Sequence, residues 1–272
     1  MTFAAAVVVY NMACPDSPTC QALKALDDPD ISVLVYDNST ADYGNRAYCE
    51  NLGWVYLGGN GNMGISKAYN ACIDYLTSGH ETDVLCLFDD DTHLTGAYFD
   101  ALRRAKEASD GHIFVPMIFA ADQLISPCIL QPGHRVTTFT DPAEATSYTG
   151  NDLSAINSCM AIDLCIFKDF RYDENIFLDG VDHYFTCQMR QKDEKLHTID
   201  YRCDHAFSGT EKPPVQSALV RFGIYAKDYP YILKDNKAAY LRLVGKRALR
   251  LTAQYRTFAF IKALSKIDYK GM

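Results

Sequence analysis

Four apolar runs, each closed by polar residues, punctuate the first third of the chain. Residues 4–10 (AAAVVVY) are unbroken and carry three valines, the pattern of a parallel strand buried on both faces; Asn11 and a loop with Pro15 and Pro18 end it. Residues 31–36 (ISVLVY) repeat the pattern and stop at Asp37-Asn38-Ser39. Residues 54–57 make a third strand before the glycine-rich stretch from Gly58 to Gly64, and residues 84–88 (VLCLF) a fourth before Asp89-Asp90-Asp91. Helical spacing fills two gaps, at residues 20–26 and 65–76. Strand, helix, strand, strand, helix, strand predicts an α/β domain whose mainly parallel sheet brings the strand ends to one edge. Asp37, Asn62 and the Asp89/Asp91 pair then converge there.

Further along, residues 96–108 read as a helix and 113–119 as another strand. Residues 120–155, with Pro127, Pro132 and Pro142 among many Thr, Ser and Asp, predict no strong element; a long irregular segment in a compact domain is usually functional, and it is assigned to acceptor binding. Apolar patterning resumes over residues 156–167. Phe177-Leu178-Asp179-Gly180-Val181-Asp182 leads into a helix at 183–192, followed by a strand at 196–201 and a loop holding His205 and Gly209. From Val215 the pattern turns helical, which divides the chain into a domain of residues 1–215 and an extension of residues 216–272. In that extension Arg242, Lys246 and Arg250 are spaced by four, as are Lys262, Lys266 and Lys270, so each trio is expected on one helix face. Leu241, Val244, Ala248, Leu251 and Tyr255 are expected on the apolar face.

Composition narrows the class. The 272 residues, 48% apolar, suffice for one large core, and no uncharged run approaches the length of a membrane span. Ten cysteines without a C-x-x-C pair, several inside apolar runs, read as reduced small hydrophobes of a cytoplasmic protein. A net charge of −8 argues against nucleic acid as a partner. Yet nine Lys or Arg against one acid, Asp268, follow Asn236, so the tail is basic and the rest acidic. A basic amphipathic tail fits either an anionic membrane surface, at the inner face of the cell membrane, or an ordinary solvated helix face.

The chemistry sits at the strand ends. Asp89-Asp90-Asp91 on the rim of a sheet suits a hard divalent cation, Mg²⁺ or Mn²⁺, which takes oxygen ligands and leaves positions for substrate phosphates. Asp182 before a helix suits either a catalytic base or an N-terminal cap. Taken in order, Val7-Val8-Val9-Tyr10-Asn11, Val35-Tyr36-Asp37-Asn38-Ser39, Asn62-Met63-Gly64 with Ala68 and Asn70, Phe88-Asp89-Asp90-Asp91, Phe177 to Asp182 and His205-Ala206-Phe207-Ser208-Gly209 resemble the family 2 inverting glycosyltransferases of the A-type fold, and most nearly their bacterial rhamnosyltransferase branch. The resemblance spans residues 4–225 and implies a Rossmann-like, mainly parallel sheet flanked by helices. It further implies that Tyr10, Asn11 and Asp37 line the nucleotide pocket, and that Asn62 and Gly64 border the nucleotide sugar. Asp89 and Asp90 are implied near the donor, Asp91 and His205 on the metal, and Asp182 as the base.

The implied activity is inverting transfer of a sugar, rhamnose from its thymidine diphosphate donor, to a glycan or lipid-linked saccharide acceptor of a bacterial surface polysaccharide. This chain departs from the branch at Tyr184, where an acid is usual, at Gln188 in place of Arg, and at Ser158-Cys159 in place of a Ser-Gly pair. A uridine diphosphate donor is the alternative within the same class. Two readings from other classes stay open on the residues alone: a haloacid-dehalogenase-type phosphohydrolase, from Asp89-Asp90-Asp91-Thr92, and a non-catalytic nucleotide-sugar-binding protein.

Overall fold

The structure is a computed structural model, described here for residues 1–26, 28–204, 213–233 and 236–267. Its first strand, β1 (Phe3–Val9), has all seven positions buried. Alternation along it feeds two cores. Ala4, Ala6 and Val8 face one helical layer, with Tyr69, Ile73, Phe185 and Met189, while Phe3, Ala5, Val7 and Val9 face the other, with Leu23, Tyr98, Phe99 and Leu102. The result is a helix–sheet–helix sandwich built around β1.

In chain order β1 is followed by α1 (Pro18–Leu26), β2 (Ile31–Asp37), α2 (Asn45–Asn51), β3 (Val55–Gly58), α3 (Ile65–Thr77), β4 (Val84–Asp89), α4 (Gly96–Ala108) and β5 (Ile113–Ala120). Next come β6 (Gln123–Ser126), β7 (Cys128–Gln131), β8 (Arg135–Thr138), α5 (Pro142–Ser147), β9 (Leu153–Ser154), β10 (Met160–Asp163), α6 (Val181–Gln191) and β11 (Leu196–Asp204). The large sheet runs β11-β5-β10-β4-β1-β2-β3, with β6 paired to β5. β4, β1, β2 and β3 are parallel neighbours, β11 is parallel to β5, and β10 is antiparallel to both β4 and β5. This is the mixed, mainly parallel α/β architecture that the alternation of runs predicts.

The expectation for residues 120–155 is corrected. They contain β6, β7, β8, α5 and β9, and β8-β7-β9 form a second, antiparallel sheet. Buried Leu124, Phe139, Ala145 and Leu153 close a small core with Phe119 beneath it. The helix α2, absent from the run pattern, fills the gap between the second and third strands.

Three C-terminal helices, α7 (Val215–Leu233), α8 (Lys237–Tyr255) and α9 (Ala259–Leu264), share a core of Phe222, Tyr240, Val244 and Phe260. Two expectations change here. α9 ends before Lys266, and Lys270 lies outside the described residues, so the second basic trio does not share a helix face. Leu241 is 52% exposed and stands with the basic residues rather than in the core. Among the described residues no helix is long and apolar enough to cross a membrane.

Candidate active site

Parallel pairing aligns the strand ends. Val9 stands opposite Asp37, and Val8 opposite both Tyr36 and Asp89, so the carboxyl ends of β2 and β4 flank that of β1. β10 reverses direction beside β4, and open α/β sheets bind ligands outside such an edge. A cleft of about 280 Å³ lies there, lined among others by Tyr10, Asn38, Asn62, Gly64, Asp89, Asp90, Asp91 and Phe177.

The acidic turn is held from below by the first turn of α1 and the residue before it. The hydroxyl of Ser17 donates to the Asp90 carbonyl at 2.5 Å, and that of Thr19 donates to the Asp89 carbonyl at 2.5 Å. The Thr19 oxygen also accepts the Thr92 N–H at 2.9 Å, and the Thr92 hydroxyl meets that of Ser158 at 3.1 Å. These buried hydroxyls fix the turn's backbone. Asp90 uses Oδ2 to accept the Tyr10 N–H at 3.0 Å, and burial raises its pKa. Asp91 differs: its Oδ1 is buried and has no hydrogen-bond partner among the described residues.

That orphaned oxygen fits a cation. A carboxylate oxygen withdrawn from water without a donor is costly, and a hard divalent ion with substrate phosphates would complete its shell. His205, expected as the second protein ligand, lies outside the described residues. β11, which ends at Asp204 immediately before it, brings Cys203 within electrostatic reach of Asp91 and 3.9 Å from the His93 carbonyl. Among the described residues, three ligand-type atoms gather closely only at His112, Asp163 and Cys165, where Lys106 already holds Asp163 at 2.6 Å.

Asp37 is placed differently from the rest. It is buried, its Oδ1 accepts the Ser39 N–H at 3.0 Å, and its Oδ2 accepts from the Asn45 amide at 3.0 Å and the Tyr56 hydroxyl at 3.2 Å. Burial and this carboxylate push the Tyr56 hydroxyl up to about 12. The neighbour that does line the cleft is Asn38, whose Oδ1 accepts the Met63 N–H at 2.7 Å and so fixes the glycine-rich loop. Asn11, at a positive φ of 50°, accepts the Thr40 N–H at 2.9 Å and ties the end of β1 to that of β2. Asn62 accepts the Gly64 N–H at 3.1 Å.

The loop before α6 is clamped from two sides. On one, Ile65 N–H donates to the Phe177 carbonyl at 2.7 Å, the Ser66 hydroxyl donates to the Ile176 carbonyl at 2.6 Å, and Asn70 exchanges two bonds, each 2.9 Å, with the Tyr172 backbone. On the other, Asp228 of α7 accepts the N–H groups of Phe177, Leu178 and Asp179. Asp182 follows in the first turn of α6, one place inside the helix rather than at its cap, and its Oδ1 accepts the His183 N–H at 2.8 Å. Asp182 does not line the cleft. Buried Tyr69 lies within electrostatic reach of both Asp89 and Asp182. Ser17, Thr19 and Asp228 are the residues that sequence reasoning missed. Only Asp228 leaves a signal: it is a carboxylate within an otherwise apolar helical stripe, Phe222-Tyr225-Tyr229.

No family model matches the sequence, and no curated protein matches it. Solved structures do match in fold. The Staphylococcus aureus TarS 1–349 structure is 13% identical with a TM-score of 0.56, over 97% of this chain and 81% of that one. GalNAc-T7 with UDP, GalNAc and Mn²⁺ is 12% identical with a TM-score of 0.61, over 98% of this chain and 57% of that one. The mannosyltransferase PcManGT of Pyrobaculum calidifontis, with GDP-Man and Mn²⁺, is 13% identical with a TM-score of 0.57, over 97% of this chain and 74% of that one. At this identity the likeness is one of backbone, and it agrees with the sheet order found here: the chain has the A-type glycosyltransferase fold.

Proposed function

We propose that this protein is a metal-dependent, inverting glycosyltransferase that uses a nucleoside diphosphate sugar. The observation that carries the reading is the buried, unpartnered Oδ1 of Asp91, set in a cleft with Asp89, Asn62 and Gly64 at the carboxyl edge of an A-type sheet. The similar structures support it, since TarS was solved with UDP-GlcNAc, GalNAc-T7 with UDP and Mn²⁺, and PcManGT with GDP-Man and Mn²⁺. In this reading residues 1–215 bind the donor and catalyse, and residues 216–272 extend the domain. The donor is thymidine diphosphate-rhamnose, with a uridine diphosphate sugar as the alternative. The acceptor is a glycan or lipid-linked saccharide of a bacterial surface polysaccharide.

Asp91, with His205, would hold Mn²⁺ or Mg²⁺, which when bound neutralises charge on the departing diphosphate. The chain's own residues do the remaining work. Asn38, the glycine-rich loop and Phe177 packed against Gly64 shape the donor wall. Asp182 takes the proton from the acceptor hydroxyl as that oxygen attacks the anomeric carbon, which inverts the configuration there. The clamps from Asn70, Ser66 and Asp228 fix where that carboxylate stands. The acidic turn follows the fourth strand, whereas the phosphohydrolase places its nucleophile on the first, so the transferase reading is preferred.

Calorimetric titration with thymidine and uridine diphosphate sugars, with Mn²⁺ or Mg²⁺ and then chelator, tests the donor. Metal-dependent binding that collapses in Asp91→Ala supports the pocket, and preference for a uridine donor removes rhamnose. Asp182→Asn is expected to keep donor binding while transfer falls by roughly 10²–10⁴-fold. No binding of any nucleotide sugar by folded protein with metal present would sink the reading.

A further inference from the structure

The far end of α6 borders a second cleft, of about 350 Å³, that takes no part in the site above. Its walls include Tyr148, Thr149 and Asn151 from the segment between α5 and β9, Thr186 and Arg190 from α6, and Lys195 just before β11. The guanidinium of Arg190 is the unusual group. Its Nε and Nη2 are buried and have no hydrogen-bond partner among the described residues, and none of the ion pairs formed there includes it. The nearby acids are already engaged: Glu194 holds His112 Nδ1 at 3.0 Å, and Asp152 accepts the Tyr148 hydroxyl at 2.6 Å.

Arg190 is half-buried, and guanidinium nitrogens withdrawn from water without a partner or counter-charge are costly. Here it faces a polar cleft with hydroxyl, amide and ammonium groups around it; Glu194 also lines the wall, with its carboxylate turned to His112 Nδ1 at 3.0 Å. We propose that this cleft binds an oxyanion, a phosphate or a carboxylate carried by a small polar molecule, with Arg190 supplying the main opposing charge and Lys195 a second cation at the rim. Exposed Thr149 offers a hydroxyl donor to the same group. The site is separate from the nucleotide cleft but joined to the acidic station of α6. The Thr186 hydroxyl lies 2.7 Å from that of Ser154, which lies 2.9 Å from His183 Nδ1, next to Asp182. Arg190 stands eight positions after Asp182 on the same helix, about 12 Å along the axis. The inference does not depend on the transferase reading, since it concerns binding at a second place.

The test is thermal unfolding of the full chain in inorganic phosphate, glucuronate and chloride at matched ionic strength, with chelator present so that phosphate cannot be held through a divalent ion at Asp91. A saturable rise in Tm with phosphate, with glucuronate or with both, absent in chloride, is expected, and which anion acts identifies the ligand's charged group. Arg190→Met is expected to abolish that rise while its Tm without anion is equal to or above that of the unsubstituted protein, because an uncompensated charge has gone. Lys195→Gln, at an exposed position, is expected to keep the fold and to raise the half-saturating concentration about three- to tenfold. No anion-specific rise, a rise unchanged in both variants, or a clear loss of Tm in Arg190→Met without anion would each overturn the proposal.

Discussion

Asp228 on α7 accepts the backbone N–H of Leu178 at 2.8 Å, and with the same carboxylate those of Phe177 and Asp179 at 3.0 and 2.8 Å. One buried anion from the C-terminal helices therefore holds the loop that leads into Asp182. Burial raises the pKa of Asp228, and the three N–H groups oppose that rise, so the carboxylate is kept where it is by its donors. Asp228→Asn replaces one acceptor oxygen by an amide donor facing those N–H groups. The expected cost is about 2–3 kcal/mol in chemical denaturation. Under the transferase reading, turnover should fall further than nucleotide affinity does. Equal losses of both would mean that the clamp serves only the fold.

Gly64 and Gly61 share a positive φ, 87° and 80°, but not their surroundings. A methyl group at Gly64 would lie 2.7 Å from the Phe177 ring and 2.8 Å from its carbonyl, while one at Gly61 meets nothing within 4 Å. Gly61→Ala should cost only the backbone strain, about 1 kcal/mol. Gly64→Ala adds a clash to that strain, about 2–4 kcal/mol in all. Because Phe177 lines the cleft, the second variant should also bind nucleotide at least tenfold more weakly. Titration of both variants separates strain from displacement of the wall.

These contacts show where sequence reasoning stops. Residues 4–10, 31–36 and 84–88 are legible because a strand buried on both faces is apolar throughout, and parallel order follows once their polar ends share an edge. β7 and β8 are not legible. They are four residues long, β7 alternates between buried and half-buried positions, and β8 is exposed throughout. Their stability comes from pairing with each other, from β9, and from the core of Phe139 and Leu153, and no local window joins β7 to Leu153. The site divides similarly. Asp89 and Asp91 announce themselves by position, whereas Asp37 shares the motif order yet spends its carboxylate on Ser39, Asn45 and Tyr56. A hydroxyl such as that of Thr19, bonded across 70 residues to the Asp89 carbonyl, leaves no trace in sequence spacing.

His134, on the turn between β7 and β8, gives a pH dependence with a defined sign. Burial, with a smaller effect from His183, lowers its pKa to about 4; Arg190 acts in the same direction, Asp182 opposes, and the Tyr229 ring packs 6.3 Å away. Below its ordinary value the unfolded chain takes up a proton that the folded chain does not. The stability it contributes is therefore complete above pH 6.5 and is lost as pH falls towards 4. Against His134→Gln, the unsubstituted protein should lose on the order of 1–3 kcal/mol across that window. Denaturation at pH 7.5, 5.5 and 4.5 measures the gap. A constant gap would show that His134 titrates normally.

The exposed side of α8 carries both requirements for lying on an anionic bilayer. Leu241 and Leu249 are 52% and 63% exposed, two turns apart; Arg242 and Arg250 each follow one of them by one position, and Lys246 stands midway between those two arginines; Phe258, past the helix, is 72% exposed. Apolar side chains of this size gain by entering the acyl boundary, and cations beside them gain about 1 kcal/mol each near anionic headgroups. Arg242 is partly committed, since it donates to the Gly133 carbonyl at 3.2 Å, so the charge test belongs to the other two. Reversing both Lys246 and Arg250 to Glu removes at least about 2 kcal/mol, roughly a 30-fold fall in partitioning. Co-sedimentation with phosphatidylglycerol vesicles should show that fall, and phosphatidylcholine vesicles should hold little of either protein. Raising salt should weaken the unsubstituted protein's binding and leave the Leu241 and Leu249 contribution. If the unsubstituted protein stays in solution with anionic vesicles at low salt, this face is an ordinary solvated helix surface and the membrane is not a partner.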